Sequence, residues 1–285
     1  MDLLLAYQGL IAFVGINALL ALSIYATLCC GQLSLANAGF MAVGAYTGAL
    51  ITLRSPAVPF AVVLLAAAAA PAILALPLGL PVLRLRGVFL AIATVGFGEV
   101  VRLAFVNWDY TNGALGLVAI PQRTHLSTIG LALAVSLFVF WRLGGSRAGY
   151  ALEAIREDET AARTMGIATT RYKLAMLALG AAIAGLAGAL EAHFTFIVSP
   201  SGYGFSRVVD MLVQAVVGGT SVFFGPVLGA AFLTLLPEAL REAGARLGLS
   251  PGPFRLLLNG LILLAVILYL PNGIASLPRR LRRGA

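Results

Sequence analysis

Apolar residues run along this chain in blocks long enough to cross a bilayer, and polar residues interrupt them at only a few places. The first block, Leu3–Leu28, holds one mid-span amide, Asn17. The second, Gly31–Leu53, opens with the small and polar GQLSLANAGF and continues as MAVGAYTGALITL. That switch predicts a broken or re-entrant entry followed by a helix. In the third block, Ala57–Leu83, the residues Pro71, Pro77 and Pro81 predict kinks that neighbouring helices repair. The fourth, Val88–Val106, carries Glu99 and Arg102, spaced to share one helix face. A polar loop, Asn107–Ser127, leads to a short fifth crossing, Thr128–Leu143, and Leu174–Val198 is the sixth. Val208–Leu236 is too long for one straight helix, and Gly218-Gly219-Thr220 and Phe224-Gly225-Pro226 break it, so two short helices in a hairpin, or a re-entrant element plus a span, are expected. Phe254–Leu270 is the last crossing. The expected fold is an all-α, polytopic integral membrane bundle of about nine membrane segments, some broken or re-entrant.

Composition points to the same solvent. Of the 285 residues, 60% are hydrophobic and 11% charged, and mean hydropathy is +0.98, whereas a soluble domain carries about 25% charged residues. The blocks are continuous rather than alternating, which favours helices over a barrel. The net charge of +8 would suggest nucleic acid in a soluble protein. Here the basic residues flank apolar blocks, so membrane topology accounts for them, and no nucleic-acid partner is expected. Cys29 and Cys30 are adjacent and have no metal-ligand spacing around them, so they read as small apolar fillers. No cofactor or metal is expected. Leu3–Leu28 lacks a basic leader and exceeds a signal core in length, and it reads as a spanning helix.

One stretch is conspicuously polar, GGSRAGYALEAIREDETAARTMGIATTRYK from Gly144 to Lys173. Within it, Tyr150–Met165 is expected to form one helix with an apolar stripe of Ala151, Leu152, Ile155, Ala162 and Met165. Glu159 and Arg163 are an i, i+4 pair, and Gly166 is placed to stop the helix. The segment reads either as a solvated loop or as a coupling helix that docks into a cytoplasmic motor. The docking candidates are Glu153, Arg156, Glu159, Ala161, Ala162, Arg163 and Gly166.

Basic residues in short loops orient the chain. Arg279, Arg280, Arg282 and Arg283 at the end, and Arg147, Arg156, Arg163, Arg171 and Lys173 in the polar segment, belong inside. Arg84 and Arg86 then fall inside, Asn107–Ser127 and the chain start outside, and Val208–Leu236 must cross an even number of times. Arg241, Arg246 and Arg255 come out external, beside Glu238 and Glu242.

Polar side chains at membrane depth turn inward. Asn17, Gln32, Ser34, Asn37, Thr94, Glu99, Arg102 and Gln214 form this group, and they serve either interhelical hydrogen bonding or a translocation path. Asp210 is expected to cap a following half-helix, and His125 and His193 read as structural. Gly180, Gly185 and Gly188 are spaced for close helix packing. No phosphate-binding loop and no catalytic triad or paired carboxylates occur, so an enzyme is not expected.

One long segment and four shorter motifs, in the right order along nearly the whole chain, carry a family resemblance. The segment AIREDETAARTMGIATTRYKLAMLALGAAIAGLAGAL resembles the cytoplasmic loop and following helix of bacterial ABC-importer permeases for branched-chain amino acids. GQLSLANAGFMAVGAYTGAL resembles their early motif, RLRGVFLAIATVGFGEVVR their middle helix, and VVGGTSVFFGPVLGAAF with LPNGI their late motifs. The likeness is to the M-type subunit more than the H-type. Of the family's EAA-and-Gly coupling motif, Ala161, Ala162 and Gly166 are in register, while Thr160 stands at the Glu position and Glu159 is one residue early. The resemblance implies a single transmembrane domain over 1–285 with the coupling segment at 144–172. It implies alternating access in the cell inner membrane, with the segment and C-terminus cytoplasmic. Its implied partners are a second, H-type permease, two cytoplasmic ATPase subunits and an external solute-binding protein. The implied cargo is leucine, isoleucine or valine. The same architecture importing urea, short amides or another small solute, and an ATP-independent secondary transporter or channel using Glu99, remain the alternatives.

Overall fold

A computed structural model describes residues 7–85, 87–220, 222–246 and 273–276. The last apolar block, Phe254–Leu270, Arg255 and the basic tail lie outside the described residues, as does Arg86. Among the described residues the chain is helical, with one isolated antiparallel bridge between Leu117 and Val198.

Helix α1 spans Gln8–Leu28, α2 Asn37–Arg54, α3 Phe60–Val82 and α4 Val88–Val106. Two short 3-10 turns then lead to α5, Leu126–Gly144. The polar segment folds as α6, Arg147–Glu157, and α7, Glu159–Thr164. The long α8 covers Thr169–Thr195, and α9, Phe205–Gly218, and α10, Gly225–Arg246, complete the order. Five of these, α1, α3, α4, α5 and α8, are long and apolar enough to cross a membrane. The polar Gly31–Ala36 stretch is not helical, although Gln32, Ser34 and Ala36 in it are buried, and α2 begins only at Asn37.

Helix α8 is the centre of the bundle and packs against α1, α2 and α3. The reason is its row of small residues. A Cβ on Gly185 would overlap the Ala67 carbonyl and the Pro71 ring of α3, one on Gly188 the Met41 carbonyl of α2, and one on Gly180 would lie 2.6 Å from the Ser23 carbonyl of α1. From the other side, a Cβ on Gly44 of α2 would strike the backbone of Gly185. Helices that lack side chains at their contacts approach backbone to backbone and gain dispersion contacts that lipid cannot match. The Gly180/Gly185/Gly188 spacing thus does what its pattern predicts. The three prolines of α3 lie within one helix, and Pro71 is buried against α8.

Outward, α3, α4 and α5 expose Leu65, Ile73, Phe89, Val100, Leu131 and Phe138 at half their surface or more. Apolar walls of this kind suit lipid or another apolar partner.

Two ends of the bundle are distinct. At one, Arg123 donates to the carbonyls of Val58, at 2.9 Å, and of Pro56, Arg54 stacks 3.8 Å above the Tyr110 ring, and Leu117 pairs with Val198. At the other, Arg156 of α6 reaches the Thr220 carbonyl at 3.4 Å, and a Cβ on Gly31 would sit 3.4 Å from the Arg156 Cα. Gly273 packs against Gly218 and Gly219 at that same end. The α9–α10 pair is a hairpin whose turn lies beside the polar segment. Asp210 falls in the middle of α9 rather than at a helix start, so it caps nothing.

Candidate functional site

The polar segment is two helices, not the single Tyr150–Met165 helix that its stripe suggests. Asp158 adopts an extended backbone (φ −151°, ψ 107°), and its carboxylate accepts the N–H groups of Thr160 at 2.7 Å and Ala161 at 3.1 Å. An Asp that bonds forward to the backbone starts a new helix more readily than it continues an old one. Ser146 caps α6 in the same way, through the Gly149 N–H at 3.2 Å.

That break re-phases the apolar stripe. Ala151, Leu152, Ile155 and Ala162 are buried against the bundle, but Met165 is 81% exposed. Gly166 follows with φ +82°, a left-handed conformation that glycine adopts without Cβ strain, and it ends α7 as its position predicts. Of the docking candidates, Glu153, Arg156, Ala161, Arg163 and Gly166 are exposed and Glu159 is half-buried. Ala162 is 2% exposed and holds α7 down rather than facing outward.

Glu159 organises the junction between α7 and α8. Its carboxylate lies 2.7 Å from both the Arg163 guanidinium and the Lys173 ammonium. Thr169 at the head of α8 accepts from Arg163 Nε at 2.9 Å. Partial burial alone would raise the Glu159 carboxyl, but Lys173 and Arg163 outweigh it and hold the group below the ordinary carboxylate value. Beside α6, a cavity of about 270 Å³ is lined by Tyr25, Cys29, Phe140, Leu152, Arg156 and Thr220. The segment therefore touches the end of α1, the end of α5 and the α9–α10 turn together.

The interior polar candidates fall into separate places. Gln32, Ser34 and Asn37 lie along the α2 entry; Asn37 donates to Ser23 Oγ at 2.9 Å, while its Oδ1, both Gln32 amide atoms and Ser34 Oγ are buried without a partner. Thr94 accepts the Leu35 N–H at 2.9 Å and donates into its own helix, so it pins the entry to α4. Glu99 pairs with Arg102 at 2.7 Å, each about one-third exposed, beside Gly204. Asn17 donates to Thr234 Oγ1 at 3.0 Å, and both line a groove with Gln214. His193 is fully buried, with Nε2 2.8 Å from Thr52 Oγ1 and Nδ1 2.7 Å from the Ala189 carbonyl, a structural arrangement.

Sequence reading missed the ion pair between Glu191 of α8 and Arg207 of α9, at 2.6 Å with each side chain about one-fifth exposed. The available signal was Glu191 itself, an acid inside an apolar block, which demands a cation. Among the described residues no cluster of three or more His, Cys, Asp or Glu is placed to hold a metal.

The chain is thus a helical bundle with five helices long and apolar enough to cross a membrane and a folded polar segment at one end. Residues 6–267 match the family described as branched-chain amino acid transport system / permease component, and the chain belongs to that family. It is 33% identical over 301 residues to the high-affinity branched-chain amino acid transport system permease protein LivM of Salmonella typhimurium, spanning 93% of this chain and 67% of the relative. It is 26% identical to the autoinducer 2 import system permease protein LsrC of Shigella flexneri, over 70% of this chain and 60% of that one. It is 30% identical over 146 residues to LivH of Escherichia coli K12, a permease protein of the same transport system as LivM, over 51% of this chain and 44% of LivH. No solved structure matches. The relatives are named as permease proteins of transport or import systems.

Proposed function

We propose that this chain is one transmembrane subunit of an ABC importer for branched-chain amino acids in a bacterial inner membrane. The observation that carries the reading is the family match over 6–267 together with a polar segment folded onto three elements of the bundle at once. In this reading residues 1–285 are one permease domain. The second permease is an H-type chain, two ATPases dock below, and a solute-binding protein delivers cargo above.

The segment 144–172 is the cytoplasmic contact with an ATPase. Its exposed face, Glu153, Arg156, Ala161, Arg163 and Gly166, meets the motor, and its buried face, Leu152, Ile155 and Ala162, transmits the motion. Glu159 keeps the two parts in register with α8. Alternating access follows if motor closure displaces α6 and α7, because Arg156 bears on both the α1–α2 connection and the α9–α10 turn. In this reading the C-terminus is cytoplasmic; Gly273, ahead of it in the chain, packs against Gly218 and Gly219 at the end that holds the polar segment. The interior polar residues Asn17, Gln32, Ser34, Asn37, Thr94, Glu99 and Gln214 serve the route directly or hold its walls.

The test is uptake of labelled leucine, isoleucine and valine by cells lacking the gene and by cells carrying it again. Uptake should vanish and return, and an ATPase subunit disabled for hydrolysis should abolish it. Uptake that persists without hydrolysis, or reaction of a Met165→Cys variant with an impermeant reagent from outside, overturns the reading.

A further inference from the structure

We propose that the groove between α1, α9 and α10 is a low-affinity site for a zwitterionic α-amino acid. The inference rests on the transport reading above and adds where, and by what chemistry, the cargo is held. Arg207, Asp210 and Gln214 stand at i, i+3 and i+7 on α9 and so share a face. All three line a groove of about 450 Å³, inside the roughly 300–1,000 Å³ typical of small-molecule sites. Val213 and, from α10, Leu233 and Leu236 supply its apolar wall. A row of polar groups facing an aliphatic wall matches an amino acid with a branched apolar side chain.

Two polar atoms along this row have nothing to bond. Arg207 gives Nη2 to Glu191 at 2.6 Å, but its Nε is buried without a partner. Gln214 is 8% exposed, and its Oε1 is also buried and unpartnered. Leaving such groups unsatisfied is costly; neither atom is open to the groove as it stands, and a side-chain rotation that turns them into it gives both a bound partner. Arg207 offers a donor for a carboxylate, while the exposed Asp210 carboxylate and Gln214 Oε1 offer acceptors for an ammonium.

Glu191 sets the strength of the hold. Arg207 is already shared with it, so a cargo carboxylate gains only part of the guanidinium. That suits a solute that must leave again. Urea and neutral amides bring neither the carboxylate nor the ammonium, so the groove separates them from a zwitterion. The Asn17–Thr234 hydrogen bond closes the α1 side.

The test uses the full chain with its co-expressed subunits in membrane vesicles. A Val213→Cys variant is labelled with a maleimide, with the unsubstituted chain as the blank for Cys29 and Cys30. Leucine at ten times its Kd should slow labelling about tenfold, and urea or isovaleramide should not. Asp210→Asn and Gln214→Leu, each added to Val213→Cys, should raise the leucine needed by about tenfold. Arg207 is left intact because its removal would strand Glu191. Labelling that leucine never slows, a leucine requirement unmoved by both variants, or a cysteine kept unreactive by lipid or by the second permease overturns the site. Leucine uptake measured in parallel separates the two readings. Uptake without protection sinks the site alone, and protection without uptake sinks the transport reading alone.

Discussion

The Glu159 carboxylate sits 2.7 Å from the Lys173 ammonium, and this contact ties the short α7 to the first turns of α8. Lys173 is only 13% exposed there. Replacing Glu159 by Gln leaves a mostly buried ammonium without its counter-charge. The expected result is a loss of about 1–3 kcal/mol of stability, read as a lower midpoint of thermal unfolding in detergent. Uptake should fall further than ATPase turnover, because the junction that links them has loosened.

The same carboxylate sets a pH dependence. Its value is depressed in the folded chain, so its stabilisation is complete above the ordinary carboxylate value and is lost as pH falls through the depressed one. Hydrogen exchange of α7 should therefore stay slow from neutral pH down into the ordinary carboxylate range and quicken only in stronger acid. Glu159→Gln should remove that acid-induced step. A step near pH 7 in the unsubstituted protein contradicts the assignment.

Asp158 and Gly166 bracket α7 by different means. Asp158→Ala removes the cap on two N–H groups and should cost about 1 kcal/mol, seen as fraying of α7 by exchange. Gly166→Ala should cost about 1–2 kcal/mol from left-handed strain, and Gly166→Asn less. Nothing lies within 4 Å of a Cβ at Gly166. A bulky residue there that impairs ATPase binding beyond what Gly166→Ala does is therefore reporting a docked partner, not a clash within the chain.

The bundle centre should be intolerant in a patterned way. Gly185→Val drives side-chain atoms into the Ala67 carbonyl and Pro71 and should cost about 1–3 kcal/mol or more. Gly96→Ala, in the open interior of α4, should be neutral or slightly stabilising. Folded yield and thermal midpoints of the two variants, made side by side, check the contrast.

What the sequence could disclose follows from the range of the forces involved. The Gly180/Gly185/Gly188 spacing, the break between Gly218 and Gly225 and the non-helical Gln32–Ala36 entry are local signals, and each appears where the pattern puts it. The apolar stripe of the polar segment was misread at Met165 because a periodicity assumes an unbroken helix, while the Asp158 cap costs only one residue and resets the phase. Polarity told that Asn17, Asn37, Thr94 and Gln214 turn inward, but not that Asn17 and Gln214 share a groove while Asn37 and Thr94 brace the α2 entry. The Glu191–Arg207 pair joins residues on either side of a turn. Which cation answers a membrane carboxylate is a matter of tertiary placement, which no spacing rule encodes.

Where a Cβ finds no room, rotation finds none either. Turning α8 by a single residue swings a leucine such as Leu179 or Leu186 through about 100°, toward the space its glycines cede to α1, α2 and α3. Those four helices are interlocked as a keel that shifts whole or not at all. Any change of shape in this chain is thereby confined to what is hung around that keel, and the stroke available to a motor is set by how far the outlying helices swing against it.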